Sequence, residues 1–238
     1  MAEFLQTLRE NLVFVLTCLA IAAGLILIAW LAERFLCRDR RRVSVARRVA
    51  FTAMFSAISS VLMLFELPLF FAPSFYKLDL SEIPVLLCSF YMGPVSGVIC
   101  ELLKVLLHLL YKGTSTAFVG DFANFAVGCS LVLPASIIYH IRRTKKNAVI
   151  GMVVGALVMT VFGSAFNAIY LLPRFAELYG ISLDAIVAMG TQINASITSV
   201  STLVLFAVAP FNALKGVVVT LVTSLLYRRL ERLFFRRG

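Results

Sequence analysis

Five polar side chains of this chain stand inside stretches built almost wholly of Leu, Val, Ile, Ala and Phe: Lys104, Asn124, Asn167, Asn212 and Lys215. Ionisable and amide groups are costly in such surroundings, so they mark a functional site by default. Asn212 and Lys215 are three positions apart and share one helical face. An asparagine amide offers both a donor and an acceptor. It suits the imide edge of a heterocycle, C=O/N–H/C=O, and a neighbouring lysine adds a cation beside an electron-poor ring carbonyl. Phe70, Phe71, Phe75 and Tyr76 are suited to covering a flat aromatic ligand, or to anchoring their loop at a membrane interface. Glu101, Lys104 and His108, at i, i+3 and i+7, lie on one helix face and read as a stripe in which Glu101 neutralises Lys104. His108 has no second histidine near it that would make a metal site.

The elements that must position these groups follow from composition. Of 238 residues, 61% are hydrophobic and 14% charged, with a mean hydropathy of +0.96. Soluble domains carry about 45–50% apolar and about 25% charged residues. Apolar runs of this length without period-two alternation indicate membrane-spanning helices rather than barrel strands. The net charge of +10 does not point to nucleic acid. Sixteen of the 22 Lys and Arg fall in three clusters, Arg34 to Arg48, Arg142 to Lys146 and Arg228 to Arg237. Each follows an apolar stretch, as cytoplasmic loops do. The five cysteines sit singly, mostly in apolar segments, and read as small buried side chains.

The predicted spans are Leu12–Ala32, Val49–Glu66, a short Ile83–Tyr91, Val95–Tyr111, Ala117–Ile141 and Ala148–Leu172, with a last one starting near Pro210 and ending at Arg228. Ser182 to Ala209 is expected to pack as helical pieces on or just inside the outer face. With the N-terminus outside and the C-terminus cytoplasmic, every basic cluster falls inside. The five polar groups then lie within about 11 Å of the outer boundary, at ~1.5 Å per residue, on four different helices. That common depth argues for a pocket open to the outside.

A second surface is legible on the second span. Ala46, Ala50, Ala53 and Ala57, at i, i+4, i+7 and i+11, form a stripe of small residues that lets another helix approach closely, from this chain or from another protein. The chain has no G-x-x-x-x-G-K-[ST] motif, so energy for uphill movement of a solute must come from a partner or an ion gradient. It has no nucleophile elbow, paired catalytic carboxylates or metal cluster to support an enzyme.

"KLDLSEIPVLL" (Lys77 to Leu87), "GPVSGVICELLKVLLHLLYKGTST" (Gly93 to Thr116), "GDFANFAVG" (Gly120 to Gly128) and "APFNALKG" (Ala209 to Gly216) resemble the riboflavin-specific S-component of energy-coupling factor (ECF) transporters, over roughly Arg47 to Arg229. The resemblance implies an all-α integral membrane protein, a six-helix S-component bundle over 47–238. Residues 1–46 would add an extra N-terminal transmembrane helix and a basic cytoplasmic linker. It implies riboflavin as the transported ligand, without a cofactor, bound near the outer face under the loop between the first two helices of the bundle. It implies as partners a transmembrane coupling protein and two cytoplasmic ATPases, with the coupling protein meeting Ala53-x-x-x-Ala57. Asn212 and Lys215 match flavin-contacting residues, Asn167 matches the Asn before "LLP", and Asn124, Lys104, Phe75 and Tyr76 complete the expected site. Two alternatives stand beside it: an S-component for another flat vitamin or for FMN, whose phosphate would need Lys77 and Lys112, and an intramembrane lipid-modifying enzyme.

Overall fold

The computed structural model describes residues 2–37, 43–73, 75–114 and 118–234, with side chains for all of these except 2–15, 178, 228 and 230–234. The basic run at 38–42, the loop residues 115–117 and the C-terminal 235–238 lie outside the described residues. The elements run α1 (Ala2–Phe35), α2 (Val45–Leu62), β1 (Leu67–Pro68), β2 (Lys77–Leu78), α3 (Glu82–Met92), α4 (Pro94–Lys112), α5 (Val119–Ile141), α6 (Lys145–Phe166), α7 (Leu172–Tyr179), α8 (Leu183–Thr191), α9 (Val200–Leu203) and α10 (Ala209–Phe234).

Among the described residues six helices are long and apolar enough to cross a membrane: Leu16–Phe35, Val45–Leu62, Pro94–Lys112, Val119–Ile141, Lys145–Glu177 and Val200–Tyr227. The predicted third segment is α3, whose 11 residues reach only about 16 Å, half of a ~30 Å hydrocarbon core. Every residue of α3 is buried by α2, α4, α5 and α10. The loop leading into it therefore dips inside the bundle, where protein rather than lipid surrounds its backbone. Gly93, at φ 108°, makes the reversal from α3 into α4, a conformation that disfavours any side chain, and Pro94 opens α4 where its missing N–H is not needed.

The sequence places helix stops at Pro173 and Pro210, and the structure carries both helices through. α6 continues into α7 across a π-turn at Asn167–Leu171, and α9 into α10 across a second at Val204–Val208. Each proline falls two residues beyond its π-turn. Proline lacks an N–H and crowds the carbonyl four residues back, which is Ile169 in one helix and Phe206 in the other. The widened turn absorbs that mismatch without ending the helix. The last span accordingly begins at Val200, not near Pro210. Asn212 and Lys215 lie about 18 and 22 Å along it, deeper than a start at Pro210 would put them.

The helix ends that carry basic residues gather on one side. There Arg48 pairs with Glu33 and donates to Met92 O at 2.8 Å, and Val95 N donates to Glu33 Oε2 at 3.4 Å. This ties α1, α2 and the α3–α4 turn together. On the same side Tyr139 and Tyr227 share a 3.0 Å hydroxyl hydrogen bond beside Phe90, joining α3, α5 and α10. α1 packs on α4 and α5 through Ala22, Leu25, Ile26 and Ala29.

Candidate functional site

The loop between α2 and α3 closes the other side of the bundle. Its short β1–β2 pairing, Leu67 opposite Leu78, is held by Glu66, which accepts from Lys77 at 2.8 Å and pairs with Lys112 at 2.7 Å. Partial burial would raise the Glu66 carboxyl's pKa, but the two ammonium groups outweigh it and hold it below the usual carboxylate range. Beyond β2 the chain descends into the protein. Asp79 accepts the Ser81 N–H at 2.8 Å and the Ser81 hydroxyl, and Ser59 of α2 donates to the Ser81 carbonyl. This turn delivers Asp79 and Glu82, 5% and 1% exposed, to the centre of the bundle.

There they meet both sequence-predicted lysines. Lys215 Nζ lies 3.1 Å from Asp79 Oδ2 and 3.6 Å from Glu82 Oε1. Lys104 Nζ lies 3.0 Å from Glu82 Oε1 and also pairs with Glu101, as the i, i+3 spacing predicts. Glu82 thus bridges α4 and α10. Ions this far from water persist only when paired and hydrogen-bonded.

The asparagines form a second group. Asn167, at the start of the first π-turn, accepts from the Tyr76 hydroxyl at 2.7 Å and donates to Gly163 O at 2.7 Å. Asn212 is 4% exposed, and its Nδ2 has no hydrogen-bond partner. It lies against Gly163, where an added Cβ would come within 2.9 Å of Nδ2. Gly163 therefore lets α10 approach α6 closely enough for the two asparagines to share one corner. The Tyr76 ring lies tilted 4.6 Å from Phe75 and 5.5 Å from Phe211, and Phe75 reaches Phe175 of α7 at 6.0 Å.

The structure thus joins Lys104 to Lys215 through Glu82, and Asn167 to Tyr76 and Asn212. Asn124, half-buried on α5 with its Oδ1 unpartnered, is not linked to either group by a described hydrogen bond. Val127, three residues further along α5, does come within 3.4 Å of a Cβ placed at Gly163. Of the loop aromatics, Phe75 and Tyr76 face the site, whereas Phe70 is 91% exposed. Asp79, Glu82 and Gly163 escape the sequence reading. Asp79 sits in a loop and Glu82 at the first position of α3, where no periodicity reveals which way they face; the signal was an acidic pair placed directly before an apolar run.

The arrangement can present amide groups and a lysine to the polar edge of a planar molecule, with aromatic rings above. On α2, Ala46, Ala50, Ala53 and Ala57 are all exposed, while Thr52, Phe55, Ser56, Ser59 and Ser60 form the buried face. α1 lies against α4 and α5 and leaves the alanine stripe uncovered.

Comparison with known proteins places these features in a family. The family described as ECF transporter, substrate-specific component matches residues 47–227. The chain is 34% identical over 200 residues to "Riboflavin transporter RibU" of Staphylococcus aureus, covering 83% of this chain and 98% of that one. It is 28% identical over 187 residues to "Riboflavin transporter FmnP" of Bacillus subtilis, covering 78% and 92%. Among solved structures it is similar to the protein described in "Structure and mechanism of the S component of a bacterial ECF transporter". That likeness has a TM-score of 0.63 and 38% identity, and covers 81% of this chain and 99% of that one.

Proposed function

Because the chain belongs to the substrate-specific components of ECF transporters, we propose that it captures riboflavin at the outer face of the bacterial cell membrane for an ATP-driven importer. The observation that carries this reading is the convergence of Asn167, Asn212 and Tyr76 at Gly163, beside the Lys215 ion pairs. A flavin's imide edge needs alternating donors and acceptors, and the unpartnered Asn212 amide supplies one end of that set. Asn167 supplies another when Tyr76 yields its hydrogen bond. Lys215 stands three residues from Asn212 to meet a ring carbonyl. Lys104 positions Lys215 through Glu82, and Asn124 completes the α5 wall.

Riboflavin suits the site better than FMN. A phosphate would need free cations at the mouth, and Lys77 and Lys112 are both engaged by Glu66.

The basic side is cytoplasmic, as the positive-inside rule requires. The N-terminus then lies outside and the C-terminus inside. Residues 1–46 form an added helix and linker on a six-helix domain at 47–238. The exposed stripe Ala46, Ala50, Ala53 and Ala57 meets a helix of the transmembrane coupling protein, and two partner ATPases supply the energy. The chain itself performs no catalysis.

Purified protein should quench riboflavin fluorescence on titration, in the nanomolar range and without ATP. Unchanged fluorescence across the titration would sink the reading.

A further inference from the structure

Beneath the candidate ring site lies a set of ionisable side chains whose charges do not cancel. Three carboxyls, Asp79, Glu82 and Glu101, face two ammonium groups, Lys104 and Lys215, with residue exposures between 0% and 7%. Asp79 is well served by Lys215 and by both donors of Ser81. Glu82 and Glu101 are not: Oε2 of each has no hydrogen-bond partner. Both carboxyls reach the same Lys104 ammonium group. Gly128 of α5 gives them room, since a Cβ there would strike Glu101 Oε1 and lie 3.1 Å from Glu82 Oε1.

Among the described residues, the elements packed around the pair bring no further cation to balance it. α5 offers Cys129, and α4 offers Cys100 beside Glu101, with His108 two turns outward. α2 offers Ser56 and Ser59, already donating to Thr52 O and Ser81 O. Among its described side chains, α1 brings Ala22, Leu25, Ile26 and Ala29 to that side. If all three carboxyls were ionised, one net negative charge would be held away from water. Two carboxylates would also share the one Lys104 ammonium group, with Oε2 of each left without a donor. Each condition is costly, and a single proton relieves both.

We propose that Glu82 and Glu101 form a proton-binding site that holds one proton at neutral pH, a carboxyl–carboxylate pair clasped by Lys104. The proton comes from the aqueous side and returns to it, and the pair titrates as a unit. Its link to the ligand rests on the riboflavin reading. Glu82 also contacts Lys215, so a neutral ligand closing over Lys215 further excludes water from the cluster. That disfavours the form with net negative charge, and affinity falls as pH rises through the pair's titration.

Infrared spectroscopy of the ligand-free protein tests the site without reference to any ligand. The carbonyl stretch of a protonated carboxylic acid, shifted in D2O, is expected at neutral pH. It should vanish in Glu101→Gln and equally in Glu82→Gln, because either substitution leaves two carboxylates against two lysines. Two variants keep the test open should one fail to fold. Absence of the band from the wild type, or its survival in both variants, overturns the proposal. Riboflavin titrations from mildly acidic to mildly alkaline pH then test the link. The wild type should weaken by up to about tenfold per pH unit, and Glu101→Gln should lack that slope. A band with a flat wild-type profile overturns the link. A band in protein that does not bind riboflavin at all defeats the riboflavin reading alone.

Discussion

The two ends of the bundle solve different problems. At the basic end helices meet through rings: Phe90 lies 4.7 Å from Tyr139 and 6.0 Å from Tyr227. An ion-pair network at Glu33 and Arg48 ties the helix ends there. At the other end a loop replaces helix contacts, two helices carry π-turns, and buried amides and charges stand where apolar side chains would pack more stably. The difference is between a half built of packed rings and helix-end ion pairs and a half whose irregular turns hold polar groups that hydrogen bonds leave partly unsatisfied. Irregular turns and imperfectly satisfied polar groups are tolerated where function needs them.

Breaking the comparison most severely requires a variant that uncouples the two ends. Ala53→Trp places a large ring on the exposed stripe and should abolish riboflavin uptake by cells while purified protein still binds riboflavin. Uptake at the wild-type rate would move the partner surface to another face. Next in size are Asn212→Ala and Lys215→Ala. Losing a buried hydrogen bond to a charged group costs roughly 1.5–3 kcal/mol, about 10- to 100-fold, and the loss is read in fluorescence titrations. Wild-type affinity in both variants would remove the site from α10.

Tyr76→Phe probes whether the loop competes with the ligand. The hydroxyl now bonded to Asn167 would no longer need displacing, and a neutral hydrogen bond contributes about 0.5–1.5 kcal/mol. Binding should therefore tighten by roughly two- to tenfold; weaker binding would instead make the hydroxyl a ligand contact. The smallest effect concerns Glu66. Its carboxyl is held below the usual range, so its contribution to holding the loop is complete above the ordinary glutamate pKa and is lost as pH falls through the lowered one. Hydrogen exchange of the 67–78 segment should rise over that range, and Glu66→Gln should show the raised rate already at neutral pH.

Much of this was readable from residues. Periodicity alone put Ala46, Ala50, Ala53 and Ala57 on one stripe, and all four are exposed. The i, i+3 spacing identified the Glu101–Lys104 pair. Charge clusters located the basic side, where Glu33 and Arg48 meet. Asp79, in a loop, and Glu82, opening α3, were hidden because neither follows a repeat from which to infer direction, and the descent into the bundle is imposed by tertiary packing around the short α3. Pro173 and Pro210 misled for a different reason. The rule that proline ends a helix assumes regular turns, and here the turn changes instead.

Those widened turns have a wider consequence. One residue added to a helical turn rotates everything after it by about 100°. Asn212 and Lys215 follow such a turn at Val204–Val208. Their azimuth about the α10 axis is therefore set upstream, by a wholly apolar stretch. Deleting one residue from that stretch would leave hydropathy almost unaltered, yet it would swing both side chains by more than a quarter revolution, away from Gly163 and Asp79.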